Sequence, residues 1–429
     1  MRFSDSILSL LVVLCSYSSA HIIGLSKLEG RRSVKQRQDV VGDVLPAFKA
    51  SAILDILDRT ATDSWEIGTH YQALTEYLYP AFSPFSPNYL KYNSAVHRNS
   101  RPGKIIDGMT AFILAKPAGQ GQLVIDAAAG DPPSIGTAII TASLVLDGWA
   151  QASRTMMFKA LDLQVEELLV NTLRAPNGAI SHRRDEVSLW NDNVYMVPPV
   201  GKLLFKPGRV LTRCSLLLDY AQFLALYGVH TQNTSLINAA VAQIQQYRAH
   251  CYDKKSRLWK HIQLGEKIKD GNMWASGNGW VAAGILRVYA TIKNSRYAAR
   301  YSTQLGQLGE WAEEGEGFIP NYLNSVGFGN GAESTSTLMF AYASYRLGYL
   351  GISEKTIGQA DLARRAAYGR IGEDGVLEGT VNPVSWRAVS TVSSVGGKAE
   401  WISPEGQSFV LLVEAAYKDW QSVQTSVQH

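Results

Sequence analysis

The stretch CSLLLDYAQFLALYGVHTQNTSLINAAVAQIQQYRAHC, running from Cys214 to Cys251, carries the pattern that decides the fold. Apolar side chains recur at helical spacing from Cys214 to Tyr227 and again from Ile237 to Cys251. The turn between the two runs holds Asn233-Thr234-Ser235, a sequon that makes Asn233 a candidate N-glycan site. Two consecutive helices joined this way pack antiparallel, with the start of the first beside the end of the second. Cys214 and Cys251 therefore fit either a disulfide or two buried thiols.

The same rhythm extends outward in both directions. Leu45, Phe48, Ile53, Leu54 and Leu57 form one apolar stripe, and Trp65, Tyr71, Leu74, Tyr77 and Leu78 form another. Helices are also expected over 105–114, 135–149, 156–173 and 194–205, then over 279–292, 300–311, 335–347, 357–368 and 407–420. Loops rich in Gly, Pro and Asn separate them. Strand-like alternation is confined to 387–394. The result is an all-α chain of about a dozen helices. An even set of helical hairpins closes into a ring that buries an apolar face of every helix; a right-handed solenoid is the open alternative. In a ring, the polar loops and helix starts gather at one end around a pocket.

The N-terminus reads as an address. Arg2 precedes the apolar run Ile7 to Cys15, and Ser18-Ser19-Ala20 supplies small residues for cleavage, so 1–20 is expected to be a secretory signal. Residues 21–43 are basic and polar and read as a flexible leader, which leaves 44–429 as one domain in a secreted protein. No later segment is apolar for long enough to cross a membrane. Apolar residues at 46% and charged residues at 18% describe a folded globule, and a net charge of +4 gives no reason to expect nucleic acid. The 8 His show no ligand spacing and no phosphate loop is present, so neither metal nor nucleotide is expected. Ten Trp and 20 Tyr against 12 Phe give many rings a polar tip, which suits large core residues and also sugar platforms.

Five polar clusters stand out. The first places His182, Trp190, Asp192 and Tyr195 within one loop and one helical turn. Asp192 fits a helix cap, but crowding by Trp190 and Tyr195 would desolvate its carboxyl and lift it toward a usable general acid. The second joins Trp259 and His261 to Trp274-Ala275-Ser276-Gly277-Asn278-Gly279-Trp280, an aromatic wall whose glycines leave room for a ring or a tight helix start. The third is Gly130-Asp131-Pro132-Pro133-Ser134, where Asp131 is a cap or a second carboxylate facing the pocket. The fourth and fifth, Ala332-Glu333-Ser334-Thr335 and Ser403-Pro404-Glu405-Gly406-Gln407, open helices, and capping accounts for them.

With Trp65-Glu66-Ile67-Gly68-Thr69 and Leu258-Trp259-Lys260-His261, these motifs follow one another in an order that resembles glycoside hydrolase family 105 in its fungal branch. These are the unsaturated rhamnogalacturonyl hydrolases; family 88, the unsaturated glucuronyl hydrolases, shares the fold and much of the pattern. The resemblance covers nearly the whole mature chain. It implies an (α/α)6 barrel of six helical hairpins acting on an oligosaccharide already cut by a lyase. The non-reducing uronic acid of such a substrate carries a C4=C5 double bond, which an Asp protonates at C4 while water adds at C5. Asp192 matches the acid/base position and Asp131 the second active-site Asp. His182, His261 and Trp280 match substrate contacts, and Trp190, Tyr195, Trp274 and Ser276 complete the expected binding set. Ser276 stands where many members carry an Arg that faces the sugar acid, which removes a charge-assisted contact.

Two other functions compete. One is an inverting glycosidase on saturated glycans, pairing Asp192 with Asp131 or Glu333. The other is a secreted glycan-binding protein whose site no longer turns over, kept in view by Ser276. Loss of the double-bond absorbance separates the first from an unsaturated uronyl hydrolase, and binding without turnover marks the second.

Overall fold

Periodic apolar positions become helices throughout the computed structural model, which describes residues 45–89, 121–145, 151–196, 221–313, 320–325, 330–386 and 402–427. The described helices are α1 (Ala47–Thr60), α2 (Ser64–Leu78), α3 (Pro133–Val145), α4 (Gln151–Glu166), the short α5 (Asn193–Met196), α6 (Ala221–His230) and α7 (Thr234–Cys251). The series continues with α8 (Ala275–Lys293), α9 (Ser302–Glu313), α10 (Ser334–Tyr349), α11 (Ile357–Tyr368) and α12 (Pro404–Val427). The expected helix over 105–114 and strand over 387–394 lie outside the described residues, as do Cys214 and residues 1–44. Cys251 is buried and has no disulfide partner among the described residues.

The helices sort into two kinds by burial. Along α8 every residue from Ala275 to Ile292 except Tyr289 is buried, and along α10 every residue from Ser334 to Gly348. Helices buried all round belong inside a layered structure. By contrast α11 buries only Ala360, Ala363, Arg364, Ala367 and Tyr368, one stripe at helical spacing. Contacts follow the same division: α2 packs on α3, α3 on α6, α6 on α8, α8 on α10, α10 on α12, and α12 back on α2. Against these lie α7 on α6, α9 on α8, α11 on α10 and α1 on α12.

A buried ion cluster ties four of the inner helices together. Glu76 of α2 is paired with Arg287 of α8 and, at 2.7 Å, with Arg346 of α10; Arg346 also reaches Asp419 of α12 at 2.5 Å. Removing one partner from such a cluster strands a charge, at a cost of roughly 3–5 kcal/mol. Glu76 lies about 16 Å along α2 from Trp65. Between the two levels Trp280 meets Tyr195 at 4.6 Å and Phe409 at 5.1 Å, an aromatic layer that separates the ion cluster from the helix starts above it.

Two very short sheets shape the loops. β1 (Leu189–Trp190) pairs antiparallel with β4 (Ile262–Gln263), and β2 (Tyr252–Asp253) with β3 (Leu258–Trp259). They bring the 181–193 segment beside the 258–278 segment. Gly277 is required at their junction, because a Cβ there would collide with the Asn191 side chain. At Gly284 a Cβ would lie 2.5 Å from the Val194 carbonyl oxygen, so α5 rests directly on the backbone of α8.

Candidate active site

Several helix N-termini meet at one end. Trp65 Nε1 donates to Glu405 Oε1 at 2.8 Å, joining α2 to α12. Ser134 Oγ donates to the Ser64 carbonyl at 3.1 Å, joining α3 to α2. Ser276 Oγ donates to Glu333 Oε2 at 3.2 Å, joining α8 to α10. The partial positive charge of these helix starts favours an anionic ligand, although Glu333 already takes the N–H groups of Thr335 and Ser336, and Ser403 that of Gly406.

Trp190 stands between two buried histidines. The His182 ring stacks on it at 4.7 Å and 28°, and the His261 ring meets its edge at 5.6 Å. Trp386 closes on the same group, 5.3 Å from Trp190 and 5.2 Å from His261, and Trp274 lies 4.6 Å from His261. Nδ1 of His182 faces Asn193 Oδ1 at 3.3 Å and comes within 3.9 Å of Asp131 Oδ1. Burial pushes the His182 imidazole below its ordinary value, so the ring is held neutral. Nδ1 of His261 meets Asp270 Oδ2 at 3.0 Å, while its Nε2 is buried without a partner among the described residues. Tyr322 donates its hydroxyl to the same Asp270 oxygen at 2.7 Å. Burial opposes ionisation of Asp270, but the hydrogen bonds from His261 and Tyr322 prevail and hold its carboxyl down at about 2.

The carboxyl groups divide by environment. Asp131 is buried and its carboxyl is pushed well above the usual range by desolvation, then by Asp126, Asp192 and Glu405, with Arg183 acting in the opposite sense. Glu405 is pushed up too, by desolvation first and by Glu66, despite the bond from Trp65. Asp192 is half-buried, with one carboxyl oxygen enclosed and without a partner among the described residues. Glu333 is consumed as the cap of α10: it accepts from the backbone N–H of Thr335 at 2.9 Å and of Ser336 at 2.5 Å, and from Val381 at 3.2 Å.

The sequence-derived residues thus fall into two layers. Asp131, His182, Trp190, His261 and Trp274 lie in one connected group. Asp192 belongs with them through its neighbour Asn193 and its electrostatic coupling to Asp131 and His182. Tyr195 and Trp280 lie in the aromatic layer beneath, each 1% exposed, and Tyr195 spends its hydroxyl on Gln72. Ser276, also 1% exposed, spends its hydroxyl on Glu333. Among the described residues no group of three or more His, Cys, Asp or Glu is arranged to hold a metal ion.

The sequence model described as Glycosyl Hydrolase Family 88 matches residues 129–388, more than half of the chain. The chain belongs to glycosyl hydrolase family 88. Solved structures share the fold of this family-88 chain at low identity. One is a possible member of the GH105 family from Salmonella enterica serovar Paratyphi A, 14% identical, covering 92% of this chain and 100% of that one, with a TM-score of 0.61. A family 105 glycoside hydrolase of C. acetobutylicum is 16% identical over 86% of this chain and 98% of that one, with a TM-score of 0.55. The unsaturated glucuronyl hydrolase of Bacillus sp. GL1 is 11% identical over 89% and 96%, with a TM-score of 0.52. No curated protein is significantly similar to the chain.

Three residues of this site lie outside the sequence clusters: Asp270, Tyr322 and Trp386. Asp270 reaches His261 because the chain doubles back, with Ile262 N–H donating to the Asp270 carbonyl and His261 N–H to Asn272. The turn-forming run Asp270-Gly271-Asn272 was the available signal for that reversal. No local pattern marks Tyr322 or Trp386, which arrive from distant loops.

Proposed function

We propose that the chain removes the 4,5-unsaturated uronic acid from lyase-generated pectin (rhamnogalacturonan) oligosaccharides. The observation that carries this reading is the pair of carboxyl environments: Asp192 with an enclosed oxygen that has no partner among the described residues, beside Asp131 and Glu405 whose carboxyls burial shifts well above the ordinary range. In this mechanism Asp192 gives its proton to C4. The positive charge that develops at C5 is shared with the ring oxygen. Water attacks C5 and returns a proton to Asp192, so one residue serves as acid and then base. The C5 hemiketal opens by breaking the bond to the ring oxygen, which leaves a hemiacetal at C1. That hemiacetal collapses to an aldehyde and releases the rest of the oligosaccharide.

Electrostatics support an anionic substrate despite the crowd of carboxyl groups. Burial biases Asp131 and Glu405 toward their neutral forms, which weakens their repulsion of a uronate, and the helix starts attract it. Activity is therefore expected to peak at mildly acidic pH. Pairing Asp192 with Glu333, as a glycosidase of saturated sugars would need, is disfavoured because Glu333 is occupied by three backbone N–H groups and Ser276. We read the helix contacts as a six-hairpin (α/α)6 toroid. The chain is further proposed to belong to the fungal secreted branch, with 1–20 as its signal and a glycan on Asn233. The Asn233 side chain oxygen caps α7 by accepting from Ser235 N–H at 3.1 Å, and the half-buried sequon follows the exposed Thr231 and Gln232. The test is incubation with lyase-cut rhamnogalacturonan beside its saturated counterpart. The double-bond absorbance of the first should disappear while the second stays intact; hydrolysis of the saturated sugar would refute the proposal.

A further inference from the structure

The polarity of His182 follows from a chain of hydrogen bonds that has only one consistent arrangement. Tyr247, on α7, lies 2.8 Å from the Ile180 carbonyl oxygen, which can only accept. A phenol has one hydrogen, so Tyr247 spends it there and its oxygen is left as an acceptor. The Asn193 side chain, 2.6 Å from that oxygen, must then present its NH2 group to it. The amide is thereby oriented with Oδ1 toward His182 Nδ1, at 3.3 Å. An amide oxygen has no hydrogen to give, so Nδ1 carries the proton. In the neutral ring that burial enforces, Nε2 is left with a lone pair. The ring has little freedom to turn. Its backbone is held on both sides, by Ala129 N–H to the His182 carbonyl at 2.7 Å and His182 N–H to Ser188 at 2.8 Å, and Trp190 stacks on its face. Among the described residues Nε2 has no hydrogen-bond partner.

We propose that Asn193 and Tyr247 are positioning residues that fix His182 as a hydrogen-bond acceptor, so that its Nε2 receives the hydrogen of a sugar hydroxyl. The inference rests on reading this site as one that binds an unsaturated uronate. Such a ring keeps two hydroxyls, on C2 and C3, and a carboxylate. The carboxylate has no hydrogen to offer and meets the Nε2 lone pair unfavourably. His182 therefore selects the hydroxyl edge of the sugar, and the acid group has to lie away from it. An analogue lacking the contacted hydroxyl leaves a buried acceptor unpaired, which costs more than the bond itself is worth.

Two measurements test this. The first needs no substrate: 15N spectra of the histidine-labelled protein at neutral pH, with the His182 signals assigned by comparison with His182→Gln. The neutral tautomer with hydrogen on Nδ1 is expected, and Tyr247→Phe should lose that fixed state. Hydrogen on Nε2, or an imidazolium, in the unmodified protein would overturn the proposal whatever the enzyme acts on. The second is a kinetic cycle on unsaturated disaccharides with and without the C2 or C3 hydroxyl. Tyr247→Phe should raise KM about 5-fold, roughly one neutral hydrogen bond, with a much smaller change in kcat. The variant should discriminate less against the deoxy sugar and have no further effect in a His182→Gln background. An equal loss on both sugars, or the same loss without His182, would show a purely structural role. A protein inactive on all unsaturated uronides but with the expected 15N signature would contradict the substrate reading and leave the wiring in place.

Discussion

The two histidines beside Trp190 share a site but not a chemistry. His182 leans on an amide, Asn193, which carries no charge and is itself aimed by Tyr247. His261 leans on a carboxylate, Asp270, which stays ionised because His261 and Tyr322 both bond it. A neutral partner fixes direction and tautomer. An ionised partner adds a charge-assisted bond, shorter and roughly twice as strong, so His261 is gripped where His182 is only oriented. The role of a site histidine is thus set by the group behind it, one shell away from the ligand.

Substitution separates the two histidines, beginning with the acid that shares their site, Asp192. Asp192→Asn keeps the size of that side chain and removes the transferable proton, so kcat should fall about 10²- to 10⁴-fold with KM little changed; steady-state kinetics on an unsaturated disaccharide provide the check. Asp270→Asn makes the partner of His261 resemble that of His182. The loss of a charged hydrogen bond should lower kcat/KM about 10- to 100-fold. It should also remove roughly 2 kcal/mol of stability at neutral pH. The sign is set by a carboxyl held below its unfolded value. Its contribution is complete above about pH 4 and disappears as pH falls toward 2, so urea midpoints of variant and parent should converge over that window.

Ser276→Arg probes whether the gripped side of the site also receives the acid group. The new guanidinium would meet Glu333, now bonded to Ser276, and only its outer edge would reach a uronate. KM for the disaccharide should fall about 3- to 10-fold, more than KM for a longer fragment; no gain on the disaccharide would place the acid group elsewhere, with Arg183 the next candidate. The smallest effect concerns Asp131. Its raised carboxyl penalises the folded state as pH rises above the ordinary carboxylate range. Asp131→Asn should therefore raise the neutral-pH Tm by a few degrees while lowering activity, as calorimetry and rate assays would record.

Much of this was legible in the chain, and the gaps have physical causes. The helix over 357–368 coincides with α11 because a surface helix shows its single buried stripe in the sequence. Periodicity alone puts the start of α8 at Gly279, four residues past its first residue, Ala275. Gly277, Asn278 and Gly279 look like loop residues, yet Gly277 admits the Asn191 side chain and Asn278 bonds Trp259 through both ends of its amide. Capping by Glu333 was readable because a cap acts within three residues; the Glu405–Trp65 bond was not, because it joins opposite ends of the chain. The motifs marked Asp192, Asp131 and both histidines, but the partners that distinguish the histidines come from the fold. Asp270 belongs to no cluster, and Tyr247 reads as one more apolar helix position.

The proposed proton transfer runs from Asp192 to C4 of an unsaturated uronate. It is tested most directly by running the reaction in D2O and locating deuterium in the released 4-deoxy-5-keto sugar by NMR. One deuterium is expected at C4, introduced with one stereochemistry, and no detectable product from Asp192→Asn on the same timescale. Product released with no deuterium at C4 would contradict it, because the glycosidic bond would then have broken without hydration of the double bond.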